Sequence, residues 1–449
     1  MFVQFSFKNY LSFKDEATLS MLAAKIKSKD KNLDKRSVFN AFPDIDLLKT
    51  GVIYGANGSG KSNVFSALSF MKRMVINSSK ESQADEDINV LPFKLNPRYE
   101  DEPSSFEMIF IINNKLYEYT FAAVRNKITS ETLSVIEKNK DEVILFERTS
   151  KEINVHKQFK EGIGLEKRTR KNALFLSVCA NFDGEVSKSV IRWFRKIRVI
   201  QGMSDIGYLP FTVKLLDDEN KRKKIKSIID MFDLDIVNIS KSQVEQTEKK
   251  ESELLDAIFT TIKKDSRFKN VSLPQHNPLG VSTTHNRFND DGVFVDTINF
   301  ELGENESEGT KKLIALAGPL MDTFDNSYIL FIDEFDARLH PLITKKIVRM
   351  FNSLDINKNN AQLVVATHDT NLLDKDELRR DQIWFAEKDS LGGSHLKQLV
   401  EYKVRNDASY RKGYFEGDFG AIPMLGEPDI IFESDRDSDP DSDSDSDSD

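Results

Sequence analysis

The 449-residue chain exceeds one typical domain, and 39% hydrophobic with 10% aromatic residues suffices for a core, so a head plus an inserted lobe is expected. One cysteine, Cys179, excludes an intramolecular disulfide and a multi-cysteine metal site; without a leader or an apolar run near ~20 residues, a cytoplasmic protein is expected. From Glu433 onward eight Asp and one Glu face one Arg, −8 of the formal −9, so the remainder at about −1 is neither nucleic-acid-like nor strongly acidic.

Residues 1–13 and 48–55 read as strands and 60–78 as a helix. Gly55-Ala56-Asn57-Gly58-Ser59-Gly60-Lys61-Ser62 satisfies G-x-x-x-x-G-K-[ST] at every fixed position. Val52-Ile53-Tyr54 before it and Val64-Phe65 after it give the strand–loop–helix context in which backbone amides wrap a polyphosphate. Lys61 is expected on the β/γ-phosphates of ATP as a catalytic cation, and the Ser62 hydroxyl on Mg²⁺. Gly55, Asn57, Gly58, Ser59, Gly60 and Asn63 complete the ATP-binding candidates of the loop. Lys80 to Asp87 is a polar break. Phe106 to Ile112, Lys115 to Val124, Thr132 to Lys138 and Glu142 to Glu147 alternate between turn residues and predict an antiparallel sheet.

From roughly 160 to 270 the pattern turns helical, with stretches at Ser187 to Val199 and Asp217 to Phe232 and an apolar face of Leu254, Leu255, Ile258, Phe259 and Ile262. No run sustains several heptads, so a long coiled-coil arm is not expected. Pro274 and Pro278 mark the exit of this lobe before Gly292 to Asp296 returns to strand. Two basic clusters fall here, Lys167, Arg168, Arg170 and Lys171, then Lys221, Arg222, Lys223, Lys224 and Lys226. The stretch from Arg192 to Arg198 interleaves cations with Trp193 and Phe194. A nucleic-acid contact through Lys221, Arg222, Lys223 and Lys224 competes with an ordinary solvated helix face, which the adjoining Asp217, Asp218 and Glu219 favour. Histidines 156, 276, 285, 340 and 395 show no metal-ligand spacing.

Ser307-Glu308-Gly309 opens an apolar helix from Lys311 to Leu320, offering a hydroxyl and free amides to an anion. Tyr328 to Ile332 is an apolar run ending in Asp333-Glu334, where an α/β sheet places metal and catalytic groups. Asp333 would hold Mg²⁺ through water and Glu334 would polarise the attacking water. Ala361 to Asp369 is a further buried strand, expected parallel to the previous one, which would bring His368 beside the departing phosphate. Gln382 to Glu387 and Gln398 to Tyr402 finish the sheet. The Ser/Asp tail has nothing to bury and is expected to be disordered.

This order of parts resembles the ATPase head of the ABC superfamily, in its SMC- and RecF-like branch, as does the opening Phe7-Lys8-Asn9-Tyr10-Leu11-Ser12-Phe13. More narrowly, Glu306 to Lys311, Asp333 to Asp336 with Leu339-His340-Pro341, Ala366 to Asp369 and Gly420 to Pro423 resemble the AbiL/RloA-like abortive-infection ATPases, related to the ATPase halves of OLD-family nucleases. The resemblance implies an α/β P-loop NTPase head with an antiparallel β layer and an inserted, mainly helical lobe. The expected division is 1–155 and 286–430 for the head, 156–285 for the lobe and 431–449 for the tail. It further implies a Mg²⁺-dependent ATPase forming a head-to-head homodimer. There Ser307, with Gly309, acts on nucleotide held by the other chain, while Phe335, Asp336 and Ala337 line the interface. Asp336 is an ATP-binding candidate on this ground. Gln83 is the candidate for the glutamine such heads place after the phosphate loop, but no strand precedes it. The implied biology is anti-phage defence with a partner effector, possibly a nuclease. The alternatives are a RecF-like DNA repair ATPase, an ATPase with intrinsic nuclease activity, for which no domain of the usual ~100 residues fits after His368, and a transporter subunit.

Overall fold

The computed structural model describes residues 1–28, 30–80, 83, 85–138, 141–205, 207–242, 280–405 and 408–423. The helix face at Leu254 to Ile262, His276, Pro274, Pro278 and the tail lie outside the described residues.

A six-stranded sheet organises the molecule, in the order Ile197–Gln201, Ile329–Asp333, Gln362–Ala366, Thr50–Tyr54, Ile383–Lys388 and Ser394–Gln398. The first five strands run parallel and the last antiparallel. We call Thr50–Tyr54 the loop strand, Ile329–Asp333 the acid strand and Gln362–Ala366 the histidine strand. All three are buried at every residue, because a parallel sheet covered on both faces selects unbroken apolar runs. The two-residue side-chain period divides each run between two cores. Ile329, Phe331, Val364 and Ala366 face the helix Lys61–Asn77, while Leu330, Ile332, Leu363 and Val365 face the helices Glu308–Asn326 and Pro341–Asn352.

Against the first face lies a seven-stranded antiparallel sheet, ordered Ile153–Val155, Glu142–Arg148, Lys127–Glu137, Lys115–Val124, Ser104–Ile112, Phe2–Lys8 and Ala17–Ser20. The predicted antiparallel layer is present and gains strands at both edges. Asn113 and Asn114, both at positive φ, close the hairpin between Ile112 and Lys115, a backbone that asparagine tolerates. The first strand stops at Lys8 instead of running to residue 13. Asn9 and Leu11 take φ of 52° and 51°, and the buried Asn9 amide donates to Tyr99 O and Glu102 O, both at 2.9 Å.

Ser187 to Val199 is not one helix. The helix Glu185–Phe194 ends once Trp193 and Phe194 reach the core, where Trp193 stacks on Phe110 at 4.2 Å. The chain reverses, and Ile197–Gln201 pairs with the acid strand. Part of the segment assigned on sequence to the inserted lobe is thus an edge strand of the head sheet. The helix starting at Glu308 continues through Pro319 to Asn326. Proline lacks the N–H that would bond the Ala315 carbonyl, and Thr212 Oγ1 donates to that oxygen instead, at 2.6 Å. Further out, Ile236–Lys241, Val281–Phe288 and Phe294–Glu301 form a separate three-stranded antiparallel sheet. Among the described residues no helix is long and apolar enough to cross a membrane.

Candidate nucleotide site

Parallel strands deliver their C-terminal ends to one edge. There the loop strand opens into Gly55–Gly60, the acid strand ends at Asp333-Glu334, and the histidine strand between them leads into Thr367-His368. The phosphate loop needs its glycines. A side chain at Gly55 would strike the Ala386 carbonyl, and Gly60 at φ 109° would drive one into Ser394. Gly58, at φ 76°, faces open space. Asn63 and Ser394 brace the turn, each bonding Ser12 Oγ at 2.7 Å.

The helix Lys61–Asn77 has no side-chain cap, and among the described residues the amides of Gly58, Gly60, Lys61 and Ser62 donate to no protein acceptor. Ser59 Oγ is buried without a partner. Unspent donors at a helix N-terminus fit a polyphosphate. Lys61 is buried, and its ammonium donates to Gly55 O at 2.8 Å and Ala56 O at 3.1 Å, folded over its own loop. Burial lowers its proton affinity; the charges of Asp333, Asp336 and Glu334 oppose the shift, so these carboxylates lie within its electrostatic reach.

Asp333 is buried and accepts from the Glu334 amide at 3.1 Å, whereas Glu334 is exposed and sits at φ 49°. A left-handed glutamate at a strand end is a constrained residue of the kind found at functional sites. Ser62 is exposed at the first turn of its helix. The Ser62 hydroxyl and the Asp333 carboxylate are hard oxygen donors of the type that bind Mg²⁺ together with water and phosphate. Among the described residues no group of three or more His, Cys, Asp or Glu is placed to hold a metal ion, so these two would share it with such ligands.

Asp336 Oδ1 accepts from Thr367 Oγ1 at 2.6 Å and from the His368 amide at 3.1 Å, tying the acid loop to the histidine loop. Burial and then the Lys61 charge hold the His368 imidazole below its ordinary range, against Asp336, Glu334 and Asp333.

Ser307 and Gly309 stand apart. Ser307 caps its helix through Thr310 N at 3.1 Å and is exposed. Among the described residues no hydrogen bond joins Ser307 to Gly309 with the phosphate loop of the same chain. Gln83 is exposed, and its carbonyl accepts from Asn172 Nδ2 at 2.7 Å. In the basic cluster Lys221, Lys223 and Lys224 pair with Asp218, Glu219 and Asp325 at 3.8, 2.7 and 2.7 Å.

Two residues escaped the sequence reading. Gly202 follows the edge strand and donates its amide to Asp333 O at 2.7 Å; any side chain there would run into the Glu334 carbonyl. Lys312 is buried and donates to Phe335 O at 3.1 Å and Ala337 O at 2.5 Å, fastening the Ser307 helix to the acid loop. Its position on the apolar stripe with Ala315, Leu316 and Pro319 was the available signal.

The family model described as "AAA domain, putative AbiEii toxin, Type IV TA system" matches residues 52–374. A search of curated proteins found no match. Among solved structures the chain is similar to the SMC head domain from Thermotoga maritima, at 12% identity and a TM-score of 0.39, covering 90% of this chain and 99% of that one. It is also similar to an SmcHead bound to the C-winged helix domain of ScpA, at 14% identity and 0.34, covering 88% and 97%. A third is an Smc head domain with an extended coiled coil, bound to the C-terminal domain of ScpA derived from Pyrococcus furiosus, at 12% identity and 0.33, covering 93% and 98%.

Proposed function

We propose, because this chain belongs to the AAA-domain, AbiEii-type family, that it is an ATP-hydrolysing switch acting as a head-to-head dimer beside a partner effector. Membership makes it an ATPase of the P-loop type, and the fold is an α/β P-loop NTPase head with an antiparallel β layer. The observation that supports this reading is the convergence of Lys61, Asp333, Glu334, Asp336 and His368 at one sheet edge, close enough for their charges to act on one another.

In this reading Lys61 leaves its loop carbonyls for the β/γ-phosphates, beside the unspent amides of Gly58, Gly60 and Ser62. Ser62 and Asp333 would hold Mg²⁺, which would supply positive charge to offset that of the phosphate oxygens. Glu334 takes the proton of the attacking water. A neutral His368 offers the γ-phosphate an N–H without adding charge. The exposed Ser307, with Gly309, acts on nucleotide held by a second copy, and Asp336 lies at the same interface. A two-fold interface forms such a composite site twice. The toxin–antitoxin wording of the family description supports an abortive-infection role, in which the toxic output belongs to the partner.

Glu334→Gln should cut turnover by about 10²-fold or more while ATP remains bound, and Lys61→Ala should lose binding. Mixed Lys61→Ala and Ser307→Arg chains should recover up to one working site per mixed dimer. Wild-type turnover by Glu334→Gln would sink the assignment of the base. Silent mixed dimers, with both variants folded, would sink the arrangement across two chains.

A further inference from the structure

Residues 306 and 307 are both extended, at φ/ψ of −93°/149° and −66°/154°. Successive side chains of extended backbone point to opposite sides, so whatever fixes Glu306 also fixes where Ser307 points. Ser307 faces out. Glu306 faces in, its side chain only 8% exposed, against the three-stranded sheet.

Two residues of Val281–Phe288 hold it there. Thr283 Oγ1 donates to Glu306 Oε1 at 2.5 Å, and the His285 Nε2–H donates to the same oxygen at 2.8 Å. His285 is itself set by its ring contact with Phe300, at 4.9 Å between centroids. The base of this sheet is anchored in the head by Ile239, Val281 and Leu302, which are buried in its second core. Its far end is not: Phe288, Val293, Phe294 and Val295 are all more than half exposed. The sheet is an arm with a fixed root, and the root carries the contacts to Glu306.

We propose that Thr283, His285 and Glu306 form a latch through which the position of this arm sets that of Ser307. The proposal rests on the reading of Ser307 given above and deepens it: these three are positioning residues, none of which touches nucleotide. The path continues on the far side of Ser307. Glu308 pairs with Arg338 at 2.7 Å, and Lys312 holds Phe335 and Ala337, so the latch joins the arm to the loop that carries Asp336. A partner bearing on the arm would thereby reach the site without entering it.

Full-length chains carrying Glu306→Ala, Glu306→Gln, Ser307→Ala, or Thr283→Val with His285→Phe test this; the phenylalanine retains the ring contact with Phe300. Losing hydrogen bonds to a carboxylate should slow saturated turnover about tenfold in Glu306→Ala and in the double variant. Combining them should add little. Affinity for a fluorescent ATP analogue should stay near wild type, since none of Thr283, His285 and Glu306 touches nucleotide. Glu306→Gln keeps an acceptor oxygen and should recover most of the turnover. Amide exchange across 302–310 should quicken about tenfold in Glu306→Ala.

Wild-type turnover in Glu306→Ala alongside an inactive Ser307→Ala would overturn the latch, as would unchanged exchange. Quickened exchange with a fully active Ser307→Ala would keep the latch and instead remove the role given to Ser307.

Discussion

Two strands flank the Ser307 helix in sequence, and they differ in almost every respect. The acid strand Ile329–Asp333 is buried at each residue, whereas Phe294–Glu301 is exposed or half-exposed at each. The first is gripped by a strand on either side and a core on either face; the second is an outer strand that pairs with one neighbour. The acid strand can therefore hold Asp333 and Glu334 in a fixed, partly strained geometry, because many apolar contacts oppose relaxation. The hairpin strand has few such contacts to oppose movement. In the proposed reading, the site would join a rigid half, carrying phosphate loop, acids and histidine, to a less firmly held half that leads to Ser307.

The comparison breaks most readily at Phe331. Its ring meets Phe2 at 5.7 Å and Phe65 at 5.9 Å, so one side chain ties together the sheet, the antiparallel layer and the phosphate-loop helix. Phe331→Ala should cost about 3–5 kcal/mol in denaturant unfolding. A loss below ~1 kcal/mol would mean that the sheet relaxes around the hole and is not the rigid half.

The same contrast governs what could be read from the sequence. The loop, acid and histidine strands were legible because full burial makes each an unbroken apolar run, with its chemistry placed immediately after it. That the histidine strand lies beside the acid strand was also expected; that it stands between the acids and the loop strand was not, since strand order depends on how crossovers pack. Ile197 to Val199 was read as the end of a helix because Trp193, Phe194 and Ile197 recur at helical spacing; in the strand Ile197–Gln201, Ile197 and Ile200 enter opposite cores, and so short an apolar run fits either period. Gly202 was invisible because its constraint, the Glu334 carbonyl, comes from a strand far away in sequence. The latch was invisible for the same reason: Thr283 and His285 are unremarkable in an alternating strand until Glu306 folds against them.

Lys312 is the joint between the halves, and its titration sharpens the comparison. Burial lowers its pKa to about 8, with Asp205, Asp336 and Glu334 opposing the shift. Unfolded, it keeps its proton up to about 10.5. Between those values the unfolded chain binds more protons, so stability should rise with pH across the window, by on the order of 2–3 kcal/mol from this group. Lys72, also lowered by burial to about 8, acts in the same direction. Lys312→Met should therefore remove about 2 kcal/mol from the change in unfolding free energy between pH 8 and pH 10. An unaltered gain would show that Lys312 is solvated and that the joint is loose.

The smallest effect belongs to the arm. Phe294 is 55% exposed, and its ring meets that of Phe288 edge-on at 6.3 Å. An exposed pair of this kind is worth about 0.5–1 kcal/mol, and little transfer free energy is lost when the larger part of a ring is already in water. Phe294→Ser should lower stability by less than ~1 kcal/mol and leave saturated turnover of the isolated chain unchanged, because it touches neither Thr283 nor His285. A loss comparable to that of Phe331→Ala would mean that the tip is packed against something in solution. The arm would then be as rigid as the sheet, and movement relayed through Glu306 would have no source.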